Sequence, residues 1–172
     1  AKVYFTDMNE ANIARFKEVV PNAEFVSLND IYDVKADIYA PCALGATVND
    51  QTIERLNVKI VCGAANNQLA ENRHGDILKD RGILYAPDYL INAGGVMNVS
   101  IEFEGWSAEK ATKMVDKIYD TTLKIFKMSD EQNIPVYKAT DLMAEQRIAS
   151  MKNIRGKYLG NLSHRFPGRK TR

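Results

Sequence analysis

Apolar runs of the strand type alternate with amphipathic segments along the first half of the chain. Five such runs are present, at positions 2–7 (KVYFTD), 23–27 (AEFVS), 36–45 (ADIYAPCALG), 58–65 (VKIVCGAA) and 83–87 (ILYAP). The segments between them, such as NEANIARFKEVV, NDQTIERL and ENRHGDILKDRG, carry apolar residues at helical spacing. Nearly continuous apolar strands that alternate with helices indicate a parallel sheet covered on both faces. The sequence therefore predicts an α/β fold.

The pattern changes after Gly105. A long amphipathic helix is predicted to begin after Ser107, which has the residue type of an N-cap, and a second helix follows Pro135. We therefore predict two parts. Residues 1–105 form the sheet-containing domain, and residues 106–172 form a helical segment that packs on it.

Small and polar residues follow the predicted strands at their carboxyl ends. The segments TD, APCALG, GAANNQL and APDY all show this change. In an open parallel sheet, ligands bind in the crevice just beyond the carboxyl ends of the strands. The sequence therefore predicts a site along that edge.

Composition and net charge give no indication of a membrane-spanning protein or of a protein drawn to nucleic acid by its overall charge. The chain has 172 residues and a net charge of +1, which suits one domain and provides no global field towards nucleic acid or membrane. No apolar run approaches the ~20 residues of a membrane-spanning helix. The basic C-terminal segment HRFPGRKTR is either a solvated tail or a docking or nucleic-acid contact.

Cysteine and histidine positions limit the metal and redox chemistry. Cys42 and Cys62 lie in apolar runs without CxxC spacing, which predicts buried thiols in a reducing compartment, the cytoplasm. His74 and His164 are far apart in the sequence, so no zinc cluster is expected. His74 itself is predicted to be a surface or helix-capping group.

Polar residues at two strand ends are candidate ligand contacts. Asp7 could accept both hydroxyls of an adenosine ribose and repel a 2′-phosphate, or it could simply be a turn or helix-cap acid. Asn66 and Asn67 could bond a ribose, an amide or a carboxylate, and turn chemistry explains such pairs equally well.

A double glycine, Gly94 and Gly95, interrupts what otherwise resembles one long helix after Pro87. Glycine inside a helix costs about 1 kcal/mol relative to alanine, so two in succession need a reason. One explanation is a planar ligand ring against bare backbone, with the amide of Asn92 in reach of a carboxamide. The alternative is tight packing of the helix on the sheet.

Several segments together resemble a known enzyme family. ADIYAPCALGATVND, GAANNQLAENRHGDILKDRGILYAPDYLINAGGVMNV and AEQRI are similar to the cofactor domain of the dehydrogenases acting on Glu, Leu, Phe and Val. APCALG, NQL and RHGD point to the leucine/valine/phenylalanine branch. The chain resembles leucine dehydrogenase most, and the resemblance runs along essentially the whole chain. It implies reversible, NAD-dependent oxidative deamination of a branched-chain L-amino acid to a 2-oxo acid and ammonia. It also implies a homo-oligomer, often an octamer.

The resemblance also implies which residues bind. Asp7 falls on the ribose-binding acid, Asn67 on the asparagine near the nicotinamide ribose and substrate, and Asn92 on the one that holds the carboxamide. Val96 and Val99 fall on positions that line the pocket of the substrate side chain. The remaining cofactor-binding positions, which contribute main chain, are Ala40, Cys42, Ala43, Gly94 and Gly95.

The sequence departs from the family pattern in two ways. It has no GxGxxG phosphate loop, and the family's catalytic lysines and aspartate belong to an N-terminal domain that has no counterpart in these residues. The resemblance thus implies a Rossmann-like sheet that lacks its first, central strand and is followed by C-terminal helices. Loss of that strand would separate KVYFTD and AEFVS from the other three strands and expose apolar edges.

Two expectations follow for the 172-residue chain alone. It should not bind NAD competently, and it should not be a well-behaved monomer. The alternative function is a non-catalytic nucleotide-binding or assembly module.

Overall fold

The five apolar runs form five short parallel strands. The computed structural model describes residues 1–102, 105 and 107–152. Strand β1 (Tyr4–Phe5) pairs with β2 (Glu24–Phe25), and a second sheet has the order β3 (Ile38–Tyr39), β4 (Ile60–Val61), β5 (Leu84–Tyr85). The α/β class and the parallel pairing predicted from the pattern are confirmed.

The strands divide into two groups as the sequence predicts. Among the described residues, β1 and β2 pair only with each other, and β3, β4 and β5 form the other sheet. The ladder beside β1 extends by two main-chain bonds of 2.9 Å, from Glu24 to Val3 and from Val26 to Phe5. Strands β1 and β3 therefore each keep an edge that no described strand covers.

Six α-helices and two short 3-10 helices complete the described fold. Asn9 caps the first helix by accepting the Ala11 N–H at 2.9 Å, as its residue type predicts. Ser107 caps the long helix in the same way, with Lys110 as donor at 3.5 Å. The α-helices are α1 (Glu10–Val19), α2 (Arg73–Asp80), α3 (Asp88–Ile91), α4 (Gly94–Glu102), α5 (Ala108–Gln132) and α6 (Val136–Lys152); the 3-10 helices are Asp30–Asp33 and Ile53–Arg55.

The segment NDQTIERL forms less helix than predicted. Only the 3-10 helix Ile53–Arg55 is present there. The side chain of Asn49 accepts the N–H groups of Gln51 at 2.9 Å and Thr52 at 3.2 Å. This local turn satisfies the main chain in a way that competes with an α-helix.

The double glycine does not lie within one long helix, and that expectation is wrong. Helix α3 ends at Ile91, and α4 begins at Gly94. Asn92 closes α3 by donating its N–H to the Asp88 carbonyl at 2.8 Å. Gly94 and Gly95 therefore occupy the first turn of α4, where the cost of glycine in a helix interior does not apply in full.

The core lies between the three-stranded sheet, α2 and the 3-10 helix of residues 53–55. Its members are apolar side chains that are less than a tenth exposed. They are Val48, Ile53, Leu56, Val61, Leu78, Ile83 and Tyr85. This core fixes the ends of β4 and β5, from which the candidate site is built.

Packing divides the chain into two compact units, residues 1–140 and residues 141–172. The division at residue 105 stays a prediction. Within residues 106–172, position 106 and positions 153–172, which include His164 and the basic C-terminal segment, lie outside the described residues. None of the described helices is long and apolar enough to cross a membrane.

Candidate functional site

An open cleft of about 470 Å³ lies where the chain leaves β4 and β5. Two of its lining residues follow β4, one directly follows α3, and the other three lie on α4. The lining residues are Ala64, Asn66, Asn92, Gly95, Val96 and Val99. All of these except Ala64 are candidates from the sequence, so the structure brings five candidate residues together. The cleft lies at the carboxyl ends of the strands, where ligands of open parallel sheets bind.

Two asparagine amides meet in this cleft. The Nδ2 group of Asn92 donates to the Ala64 carbonyl at 3.3 Å and also to Oδ1 of Asn66. A carbonyl only accepts, so Ala64 fixes which end of the Asn92 amide faces it. The contact leaves Oδ1 of Asn92 and Nδ2 of Asn66 without a partner among the described residues. The cleft therefore presents one hydrogen-bond acceptor next to one donor.

Close packing of two loops places Asn66 at this position. A Cβ atom on Gly63 would clash with the Pro41 main chain, and one on Gly45 would lie 2.8 Å from the Asn66 carbonyl. Pro41 also accepts the Ala65 N–H at 2.9 Å. The loop after β3, which contains APCALG, therefore supports the loop after β4 through close main-chain contacts.

Asn67 and the loop after β3 do not line the cleft. Asn67 has a φ of 53°, in the left-handed region, and its carbonyl accepts the Ala46 N–H at 2.7 Å. This main-chain conformation leaves the neighbouring Asn66 in the cleft lining. Ala40, Cys42 and Ala43 are exposed on the loop after β3. Of the two adjacent glycines, Gly95 lines the cleft and Gly94 does not.

The cysteines are less buried than the sequence predicts. Cys42 is an exposed free thiol, which contradicts the prediction, because the segment ends its strand at Tyr39 and continues as a surface loop. Cys62 is a half-buried free thiol whose pKa is raised by burial and, to a smaller degree, by Cys42.

Asp7 lies after β1 and contacts the start of α1. Its carboxylate accepts the Asn9 N–H at 2.7 Å and an Asn12 side-chain N–H at 3.2 Å. Asp7 is not among the residues that line the cleft. The contacts match the turn-acid interpretation, while ribose binding stays a prediction.

The glycines of α4 have no packing role among the described residues. A Cβ atom on Gly95 would meet nothing within 4 Å outside its own helix, and one on Gly94 would make an ordinary 3.7 Å contact with Val115. Tight packing within the described chain therefore does not account for either glycine.

Two buried residues that the sequence did not single out support the cleft. Asp88 is 5% exposed and Gln68 is fully buried. The Asp88 carboxylate accepts the Gln68 N–H at 2.7 Å, and the Asp88 N–H donates to the Tyr85 hydroxyl at 3.4 Å. Burial raises the pKa of Tyr85, and Asp88 adds to that shift. An acid directly after a strand-ending proline, in APDY, is the only sequence signal for this contact.

A second polar cluster joins the loop after β3 to α2. His74 is buried, so the prediction of a surface group is wrong. The N-cap of α2 is Asn72, and Nδ1 of His74 accepts the Glu71 N–H, just before that position, at 3.0 Å. The Nε2 atom of His74 lies 3.1 Å from Asp50. Arg73 donates to Asp50 at 2.6 Å and, with a smaller contribution from His74, lowers the Asp50 pKa to about 2. The described residues contain no group of side chains arranged to hold a metal ion.

Comparison with known proteins identifies the family. The family model of the Glutamate/Leucine/Phenylalanine/Valine dehydrogenases matches residues 2–156. Leucine dehydrogenase of Bacillus cereus is 53% identical over 161 residues, which are 94% of this chain and 44% of that protein. Leucine dehydrogenase of Geobacillus stearothermophilus is 49% identical over 172 residues, covering 100% of this chain and 47% of that protein.

A solved structure supports the same relationship. The crystal structure of L-tryptophan dehydrogenase from Nostoc punctiforme superposes with a TM-score of 0.84 at 42% identity, over 88% of this chain and 45% of that one. The chain thus spans less than half the length of these relatives. From the matched residues and the shared fold, the chain belongs to the Glutamate/Leucine/Phenylalanine/Valine dehydrogenase family.

Proposed function

We propose that the chain is the NAD-binding part of a leucine-type amino-acid dehydrogenase with a Rossmann-like fold. The reaction is the reversible oxidative deamination of a branched-chain L-amino acid to a 2-oxo acid and ammonia. Family membership and the leucine dehydrogenase relatives support the reaction class. The single observation that carries the cofactor proposal is the pair of asparagine amides in the cleft.

The free atoms of that amide pair match a primary carboxamide. A carboxamide offers one carbonyl acceptor and one N–H₂ donor on the same planar group. Nδ2 of Asn66 would donate to the carbonyl, and Oδ1 of Asn92 would accept from the N–H₂. Nicotinamide carries such a group, so the residues present fit NAD. Asn66 joins the predicted Asn92 in this role.

The wall beside the amides suits a flat ring. Gly95 lines the cleft without a side chain, and no described packing contact requires its glycine. A ligand that lies against bare backbone does require it. The open space around Gly95 thus supports the ligand explanation over packing on the sheet.

The apolar end of the cleft suits an aliphatic substrate. Val96 and Val99 are 76% and 52% exposed, so each has apolar surface that a ligand could cover. Two β-branched walls favour a branched side chain such as that of leucine. Valine and phenylalanine are the alternatives to test.

NAD, when bound, accepts the hydride that the oxidation releases. The residues of this cleft would bind and orient the cofactor and the substrate, since none of the lining side chains carries an ionisable group. We propose that the acid–base groups of the reaction come from outside the described residues. Ribose binding by Asp7 and cofactor contacts by Ala40, Cys42, Ala43, Asn67 and Gly94 remain part of this proposal, together with a homo-oligomeric, cytoplasmic enzyme.

Binding and turnover of the intact protein test the proposal. We expect NADH formation at 340 nm with leucine, and weaker turnover with valine and phenylalanine. We also expect the NAD analogue with an acetyl group in place of the carboxamide to bind about tenfold more weakly, because it cannot donate to Asn92. Binding of NAD without turnover would instead favour the non-catalytic module, and absence of NAD binding would overturn the proposal.

A further inference from the structure

Asp88 joins the two chain segments that form the amide pair. Its carboxylate accepts the Gln68 N–H at 2.7 Å on Oδ2 and the Tyr89 N–H at 2.6 Å on Oδ1. Gln68 is two residues beyond Asn66 on the loop after β4. The carboxylate therefore ties that loop to the first turn of α3.

The main chain of the same residue holds the other asparagine. The Asp88 carbonyl accepts the Asn92 N–H at 2.8 Å across the single turn of α3. One residue thus bonds both segments, one through its side chain and the other through its backbone.

The loop after β4 is also held by the loop after β3, since Pro41 accepts the Ala65 N–H at 2.9 Å and the Asn67 carbonyl accepts the Ala46 N–H at 2.7 Å. The side chain of Gln68 is fully buried, and its Nε2 group donates to the carbonyls of Gly63 and Ala65. These bonds shape the loop internally, but neither of them reaches α3. Besides the amide pair, Asn92 Nδ2 reaches this loop at the Ala64 carbonyl, at 3.3 Å, and the Asp88 carboxylate bonds it at 2.7 Å. The bond to the carboxylate is the shorter and is charge-assisted, so it contributes more to the position of Asn66 relative to Asn92.

We propose that Asp88 is a positioning residue that holds Asn66 and Asn92 in the contact that recognises a carboxamide. This inference rests on the proposed function. Without the carboxylate, the Asn66 loop loses its charge-assisted bond to α3, while Asn92 keeps its own helical bond. The two amides then separate, so selectivity for the carboxamide falls more than affinity for the rest of the cofactor.

The substitution Asp88→Asn tests this in the intact protein. It keeps the shape of the side chain but replaces one acceptor oxygen by an N–H₂ group, which faces a backbone donor. We expect the ratio of the dissociation constant of the acetyl analogue to that of NAD to fall about tenfold, towards equality. Hydrogen exchange of the segment 64–69 should accelerate in the same variant.

A structural carboxylate provides the matched control. Asp76 accepts from the Tyr137 hydroxyl at 3.0 Å and from Lys138 at 2.7 Å, away from the cleft lining. Asp76→Asn should lower the thermal midpoint but leave the analogue ratio and the exchange of segment 64–69 unchanged. If Asp88→Asn does not fold, Asp88→Ser, which keeps one short acceptor, takes its place in the same comparison.

The outcomes separate the two proposals. If the wild-type protein does not bind NAD, the proposed function fails, and positioning for a carboxamide fails with it. If it binds NAD selectively and Asp88→Asn changes neither the ratio nor the local exchange, only the positioning role is overturned. A ratio that falls equally in Asp76→Asn would likewise overturn it, because the effect would then be general destabilisation.

Discussion

At the scale of single residues, Gly95 separates a role in packing from a role in binding. Its added Cβ would meet no described atom within 4 Å outside its own helix. We therefore expect Gly95→Ala to keep or raise the free energy of unfolding, by at most about 1 kcal/mol. The same methyl group would project into the cleft and weaken NAD binding. Thermal unfolding and calorimetric titration of the intact protein measure the two effects separately.

Gly63→Ala is the contrasting variant. A Cβ atom there would clash with the Pro41 main chain, which cannot move aside as a flexible side chain can. We expect destabilisation of about 3 kcal/mol, the upper end for overpacked sites. If Gly95→Ala also destabilised strongly with NAD affinity unchanged, its glycine would serve the fold, and the ligand explanation would be wrong.

Asp7 provides a second test at the residue scale. If its carboxylate binds the adenosine ribose, Asp7→Ser should raise the NADP to NAD ratio of kcat/KM about tenfold, as for a lost charge-assisted bond. Asp7 also accepts the Asn9 N–H, so some stability is lost as well. Steady-state kinetics with both cofactors gives the ratio, which does not depend on stability.

Asn12→Ala is the control for Asp7. It removes a hydrogen-bond partner of the carboxylate but leaves the carboxylate in place, so the cofactor ratio should stay constant. An unchanged ratio in Asp7→Ser would assign the residue to the turn alone.

The residue scale also shows where sequence reasoning stops. Two consecutive asparagines follow β4, and the sequence favoured Asn67 for the site. In the structure Asn66 lines the cleft and Asn67, whose φ is left-handed, does not, while a cofactor contact by Asn67 stays a prediction. Which of two adjacent asparagines takes that conformation depends on packing against Gly45 and Ala46, which local preference does not specify.

At the scale of secondary-structure elements, the type of most segments was predictable, but their ends were not. The caps at Asn9 and Ser107 follow from residue type and are confirmed. The break between α3 and α4 was missed, since apolar spacing continues across it. Asn92 ends α3 there, a main-chain feature that hydrophobic periodicity does not reveal.

The cluster around Asp50 makes the attachment of α2 dependent on pH. Arg73, and secondarily His74, lower the Asp50 pKa from 3.8 to about 2. Because the pKa of Asp50 is lower in the folded protein than in the unfolded chain, its ionised carboxylate stabilises the fold at pH values above about 4. That contribution to stability is lost as the pH falls from about 4 to about 2. We expect the thermal midpoint of Asp50→Asn to lie slightly below wild type at pH 6, because the pair is exposed. The gap should close as the pH falls through that window.

Asp120→Asn is the control for this titration. Asp120 is exposed on α5 and takes no part in the cluster, so its substitution should leave the midpoint little changed at each pH. A gap for Asp50→Asn that persisted at pH 2 would show that the side chain acts through shape and not through its charge.

At the scale of the whole molecule, the division into two sheets was predictable because parallel strands follow a known order. Among the described residues, β1 and β2 pair only with each other, and β3, β4 and β5 form the other sheet. Packing contacts between segments that are far apart in the sequence were not predictable. Tyr137 packs where a Cβ on Gly75 would lie only 2.5 Å from its ring, a contact across 62 positions that no local pattern encodes.

The unpaired sheet edges predict how the 172-residue chain behaves on its own. No described strand pairs with the outer edge of β3, where Ile38 is 55% exposed. An exposed apolar edge is a template for pairing with another chain. We therefore expect association that grows from low to high micromolar concentration, measured by sedimentation velocity.

A charge on this edge should suppress that association. Ile38→Lys places a lysine on the edge of β3, a device by which natural edge strands avoid pairing. Leu123→Lys adds the same charge on exposed α5, where no strand edge exists, and should leave association unchanged. A chain that stays monomeric and binds NAD would contradict the prediction. If Leu123→Lys suppressed the association and Ile38→Lys did not, the chains would associate through α5 and not through the edge of β3.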